Sequence, residues 1–460
     1  MLRKRLTGAV ADRFWLLGLA LLLLGLLFGL VGVLQYVFPS WGRDTFSFAR
    51  TRPLHVFMAV QWIYCGGIGG VYSWLERSTA WRSRPVLHRW GSAHFALHLL
   101  CTLLIAAVLL SGHFGGREYL EFPPVLGIGY FCSWVLFAFI FFRSVGRPSD
   151  WPVYGWMFAT GIIAFLVSYL EAFAWLLPWV GDTVVRDLTV QWKSLGALVG
   201  SWNMLVYGTG FLVMERIDGN IARGFRRQAF LVYLLGFTNL LFNWGHHIYS
   251  VPVSSVLRNV AYAVSMTELI LLARILWNFR QETRQAFSDW HFPARRWLYA
   301  ADVWVMLNLV LAILISVPWI NRFTHGTHVT VAHAMGATIG INTNLLFAAL
   351  VHRLSVVPST QQEHGKKQYG CLLFQWTLFV FWSSLLCMGV VRMNAALRGA
   401  SFPVLSERLT PWYWFFGTSG ALLAGLLIWQ AVSLWSRFLP ACSGSQTTVE
   451  VQVSASGNRG

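Results

Sequence analysis

At 460 residues, with 56% hydrophobic and only 12% charged side chains, the chain carries more apolar surface than a soluble core of this size buries, and it reads as a polytopic helical membrane protein. The formal charge of +17 does not point to nucleic acid: 24 of the 35 Lys and Arg fall on one set of alternate loops, a basic rim suited to anionic lipid. Six cysteines lie singly, without C-x-x-C or C-x-x-C-H spacing, so a disulfide framework, a structural zinc site and covalent c-type haem have no support.

Twelve apolar stretches predict spans at about 14–38, 54–76, 92–112, 124–143, 153–178, 191–214, 228–250, 256–277, 298–320, 329–352, 371–394 and 412–435. Each is near the roughly 20 residues a bilayer core requires. The first is too long, and too poorly followed by small cleavage-site residues, to be a removable signal peptide, and is expected to be a retained anchor. The expected architecture is all-α, a single twelve-helix domain over residues 1–440. The basic rim places both termini on the cytoplasmic side of the cell's inner membrane. Residues 441–460 are polar and small and predict a disordered cytoplasmic tail. No external loop is long enough for a cupredoxin or cytochrome module, so electrons, if used, come from a partner.

Of the thirteen histidines, His88, His113, His291, His352 and His364 fall in loops or at a span end and need no cofactor. His94 and His98 are four apart on one helix face, a spacing that can bind metal. No carboxylate or third ligand accompanies them, so they read as packing. The others form a pattern. His55 opens the second span, His246 and His247 close the seventh, and His333 lies in the first turns of the tenth. All four therefore share the outer half of the bilayer although their helices run in opposite directions. Ionisable or metal-binding side chains are costly there, so the shared depth marks a functional site. In NWGHHIYSVP a glycine precedes the adjacent pair near a helix end, where a loosened last turn could let both imidazoles converge on one ion. The alternative is a helix-end pair meeting headgroups.

The segments FARTRPLHVFMAVQW (48–62), GHHIYSVP (245–252) and THGTHVTVAHAMGATIG (324–340) resemble stretches of the large subunit of nitric oxide reductases, within the haem-copper oxidase superfamily. The resemblance runs through all twelve helices in order and spacing. It implies a haem-copper oxidase subunit I-like fold with two haems, expected to be b-type, and one non-haem iron or copper. His55 would be an axial ligand of a low-spin haem and His333 the proximal ligand of a high-spin haem. His246 and His247 would hold the non-haem metal. Arg52 would pair with haem propionates or support a bridging ion such as calcium, and His325 and His328 are suited to propionate contacts or to an ordinary wet loop.

The sequence departs from that family at two places. The tenth helix usually carries His-Gly-His, one ligand to each haem from opposite faces, since positions i and i+2 lie about 200° apart. Here it reads His333-Ala334-Met335, which makes Met335 the expected second ligand of the low-spin haem, with a raised potential. On the sixth helix the family's histidine and glutamate correspond to Asn203 and Tyr207. Asn203 is then a weak third metal ligand. Tyr207 stands where one branch of oxygen reductases has a cross-linked tyrosine, but without the histidine to link to. Glu268 is the acid expected in proton delivery, with Glu171 and Asp302 as weaker candidates. The activity implied is an atypical nitric oxide reduction to nitrous oxide, fed by a cytochrome subunit or quinol. Oxygen reduction, NO dismutation and a non-catalytic haem sensor of NO or O2 are the alternatives; a transporter leaves the ligand pattern unexplained.

Overall fold

The computed structural model describes residues 9–219, 227–287, 293–355 and 361–438. The side chain of Glu268, the loop residue His291, the side chain of His364 and the expected tail at 441–460 lie outside the described residues.

Among the described residues twelve long helices follow one another: α1 (Val10–Val37), α2 (Phe48–Leu75), α3 (Pro85–Leu110), α4 (Pro124–Ser144), α5 (Val153–Ala172) and α6 (Val184–Asp218), then α7 (Arg227–Phe242), α8 (Ser255–Phe287), α9 (Pro293–Ser316), α10 (His328–Leu354), α11 (Gln361–Leu397) and α12 (Phe402–Trp435). Among the described residues ten of them are long and apolar enough to cross a membrane. The two others, α7 and α8, occupy the places of the predicted seventh and eighth spans. α7 has only 16 residues before it gives way to a 3-10 turn, Asn243–Ile248, that carries the histidine pair. The loosened helix end expected from Gly245 is therefore present.

Three helices form the inside of the bundle. In α2, α6 and α10 the most apolar stretch is 78%, 72% and 72% buried, against 33–50% for the other seven. Their close approach follows from the glycine run Cys65-Gly66-Gly67-Ile68-Gly69-Gly70 on α2. A β-carbon would stand 2.7 Å from Leu346 Cδ1 at Gly66, 2.8 Å from Leu205 Cβ at Gly67 and 2.9 Å from Trp15 Nε1 at Gly69. Small residues let membrane helices meet backbone to backbone, where van der Waals packing replaces the missing hydrophobic drive. α2 thereby touches α10, α6 and α1 within little more than one turn.

Charge pins the basic end. Arg353 on α10 reaches Asp12 Oδ1 of α1 at 2.5 Å and Glu76 Oε2, at the end of α2, at 3.4 Å, while Glu76 Oε1 accepts from the Ala11 amide at 3.0 Å. Asp12 is fully buried. Removing one partner of a buried ion pair strands the other, at a cost of about 3–5 kcal/mol. Arg353→Met is therefore expected to destabilise the protein by that amount, read as a fall in the thermal unfolding midpoint in detergent. An unchanged midpoint would show that the cluster is solvated and incidental.

Candidate cofactor and metal site

His55 stands in the second turn of α2, and α1 fixes its ring. Its Nδ1 lies 2.7 Å from the Gly25 carbonyl oxygen. With that nitrogen donating, Nε2 carries the free lone pair, which is the tautomer a metal requires. α1 makes room by having no side chain there: a β-carbon on Gly29 would stand 2.8 Å from His55 Nδ1.

α2 and α10 run in the same direction, and two contacts set their register. Trp62 Nε1 donates to Thr343 Oγ1 at 3.1 Å, and Arg353 Nη1 donates to Ser73 Oγ at 3.1 Å. Followed back toward the helix starts, the same offset brings Met335 to the depth of His55. Met335 is half-buried and ends the first, α-helical part of α10; Gly336–Thr343 continues it as a π-helix. Such wide turns inside α-helices recur at functional sites. His333, two residues earlier, has a buried Nδ1 with no hydrogen-bond partner.

The histidine pair sits against the outer part of α6. The His246 and His247 ring centroids are 4.3 Å apart, and Trp192 stacks on His247 at 4.4 Å with the planes 4° apart. Both helices narrow here. A β-carbon on Gly196 would stand 2.4 Å from Asn243 Oδ1, one on Gly200 would stand 2.7 Å from Leu240 Cγ, and Asn243 Nδ2 donates to the Gly196 carbonyl at 3.0 Å. His325, in the turn before α10, joins the group with its centroid 5.6 Å from His247 and 5.7 Å from Trp192. Its burial lowers the ring's proton affinity, so at neutral pH it stands as a neutral imidazole. His247 Nδ1 and His325 Nε2 are both buried without a partner. Buried polar atoms are almost always satisfied, so a group of unpaired imidazole nitrogens is the mark of a ligand-binding position.

Other expected site residues lie elsewhere. Asn203 is not brought to the histidine pair: it is three turns beyond Trp192 along α6, roughly 16 Å at 1.5 Å per residue. Its Oδ1 accepts instead from Asn342 Nδ2 at 3.1 Å. Tyr207 is a further turn away, half-buried against the core. His328 turns toward Tyr413, with centroids 6.4 Å apart. Arg52 is exposed and paired with two loop carboxylates that the sequence did not single out, Glu121 Oε1 at 2.6 Å and Glu118 Oε1 at 3.1 Å. Burial pushes the Glu121 carboxyl up, and the Arg52 guanidinium opposes that shift. Glu171 forms an ion pair with Lys193. Asp302 is half-buried within α9. His94 and His98 are fully buried and act in packing: Tyr72 Oη lies 2.8 Å from His94 Nδ1, and His98 contacts Cys65 Sγ at 3.7 Å and Ser133 Oγ at 3.4 Å.

The model of the family described as cytochrome c and quinol oxidase polypeptide I matches residues 9–423. The chain belongs to that family. As a member of the haem-copper oxidase superfamily it is an oxidoreductase with haem and a metal centre at its core, and the freed Nε2 of His55 and the unpaired nitrogens of His247 and His333 fit such groups. The chain is similar to a nitric oxide reductase polypeptide of Stutzerimonas stutzeri, 22% identical over 449 residues that cover 91% of this chain and 93% of that protein. It also shares its fold with a heme-copper terminal oxidase dimer solved by cryo-EM, at TM-score 0.67 and 16% identity, covering 96% of this chain and 85% of that one.

Proposed function

We propose that this haem-copper oxidase relative reduces nitric oxide, joining two NO with two electrons and two protons to give one N2O and one water. The observation that carries the reading is the adjacent pair His246 and His247, with ring centroids 4.3 Å apart on the turn after α7, together with buried, unpartnered imidazole nitrogens on His247 and on His333 in the first part of α10. A haem on His333 facing a metal on the pair would supply a two-site centre for binding and reducing diatomic gas.

The chain's own residues prepare that centre. The Gly25 carbonyl holds His55 with Nε2 outward for a low-spin b-type haem, and the Trp62–Thr343 bond keeps Met335 at the same depth as its second ligand. Trp192 holds the His247 ring in one plane by stacking. Arg52, paired with Glu118 and Glu121, would supply charge for haem propionates, and a calcium ion would suit the two carboxylates. Glu268 on α8 is the acid proposed to pass protons inward, and a cytochrome subunit or quinol the proposed donor. The basic rim favours both termini on the cytoplasmic side of the inner membrane. The distance of Tyr207 from the histidine pair weighs against oxygen reduction, which in one branch draws on a tyrosine beside the metal.

The test is anaerobic turnover of the purified protein with a reduced donor, following NO with an electrode and N2O by mass spectrometry. One N2O is expected per two NO consumed. A stable NO complex without turnover in metal-loaded protein would leave a sensor, and oxygen consumption faster than NO consumption would leave an oxidase.

A further inference from the structure

We propose that a cavity at the basic end of the bundle, between α2, α5, α6 and α10, binds the phosphate of an acidic phospholipid headgroup. The site lies at the opposite end of α2 and α10 from His55 and His333, and it stands apart from the proposed redox chemistry.

The cavity measures about 360 Å³, at the lower edge of the roughly 300–1,000 Å³ typical of small-molecule sites and so suited to a headgroup. Its wall carries Trp74 and Arg77 from the end of α2 and the turn after it, Tyr154 from the first turn of α5, Glu215 and Arg216 from the last turn of α6, and His352 from the end of α10. Helix ends are where membrane spans leave the hydrocarbon for the headgroups, and aromatic side chains collect at that level. Trp74 meets Tyr154 edge to face here, with the centroids 5.6 Å apart.

The charges favour an anion. Carboxylates at this end are already engaged: Arg353 takes both Asp12 and Glu76, and Glu215 Oε1 accepts from Tyr154 Oη at 2.9 Å. Among the described residues Arg77 and Arg216 form no ion pair. Arg77 is exposed. Arg216 is half-buried, and the structure fixes it through one bond, Nη2 donating to the Ser73 carbonyl at 2.9 Å. A guanidinium has five N–H donors in a rigid fork, so Arg216 keeps donors for a ligand. Two such forks against one carboxylate leave the cavity net positive, and paired N–H groups match phosphate oxygens two at a time. Basic pockets between helices on the cytoplasmic side of a membrane take acidic lipid headgroups, and the excess of Lys and Arg at this end places the cavity there. Position at the headgroup level, with an aromatic wall, favours a lipid phosphate over the free anion.

The experiment uses the haem-loaded protein, delipidated in neutral detergent and titrated with phosphatidylglycerol, phosphatidylcholine or inorganic phosphate, with bound molecules counted by native mass spectrometry. One tightly held phosphatidylglycerol per chain is expected, and no phosphatidylcholine at the same concentration. Arg77→Gln should weaken phosphatidylglycerol at least about fivefold, the worth of one basic residue at an anionic leaflet, and the double variant Arg77→Gln/Arg216→Gln roughly 25-fold. Arg82→Gln, exposed on the same rim but outside the cavity, should leave the affinity unchanged. Arg77→Gln stands as the test by itself if removing Arg216, which also holds α2, prevents assembly. Phosphatidylglycerol bound equally well by the wild type and Arg77→Gln, or weakened as much by Arg82→Gln, would overturn the site, because the attraction would then belong to the whole rim. Inorganic phosphate that binds in the same arginine-dependent way while phosphatidylglycerol does not would overturn the lipid as occupant and assign the cavity to the free anion.

Discussion

His246→Ala is expected to lower NO consumption at least about a thousandfold, equivalent to about 4 kcal/mol of barrier, while the haem absorption bands keep their positions. The pair sits on the 3-10 turn after α7, and neither ring is proposed to ligate iron in a porphyrin. His333→Ala is the complement: the high-spin signal should vanish and the low-spin one remain, because His55 is held independently by the Gly25 carbonyl. The two variants together separate the metal from the haem by optical and electron paramagnetic resonance spectra before any rate is measured. Loss of both haems in His246→Ala would mean that the pair supports the fold and not the chemistry.

The second large effect is on potential. Met335→His should keep a six-coordinate haem and lower its midpoint by on the order of 0.1–0.3 V, within the roughly 0.8 V range that axial ligands set. Thioether ligation raises a haem's potential, and imidazole in its place removes that bias. The ferric charge-transfer band expected of His/Met ligation in the red should disappear at the same time. Redox titration decides the matter: an unchanged spectrum and midpoint would reduce Met335 to core packing.

Much of this was legible in the sequence. Hydropathy gave twelve elements in the right order, and the depth shared by His55, His246, His247 and His333 pointed to one region before any coordinates. Gly245 before the pair announced the loosened turn. What went unread was the register between α6 and α7. The family resemblance suggested Asn203 and Tyr207 as partners of the pair, but helix contacts are set by where backbones can touch. The Gly196-x-x-x-Gly200 pattern, which permits that contact closer to the start of α6, was the available signal. Arg52 illustrates a different limit. Its carboxylate partners lie 66 and 69 residues away in a loop, a pairing that no local pattern encodes. Trp192 was invisible for a similar reason, since aromatic stacking on His247 needs both helices in place.

The glycine run on α2 bears on electron flow. Electron tunnelling weakens exponentially with separation, so a redox protein needs a rigid ruler between its centres. His55 is on α2, His333 and Met335 are on α10, and the platform under His247 is on α6; these three helices meet at Gly66 and Gly67, where not even a methyl group fits. With haems on the ligands proposed above, this seam would be the gauge that fixes the jump length. Gly67→Ala, remote from every proposed ligand, would wedge α2 from α6 and slow intramolecular electron transfer after flash photolysis while leaving ligand spectra untouched.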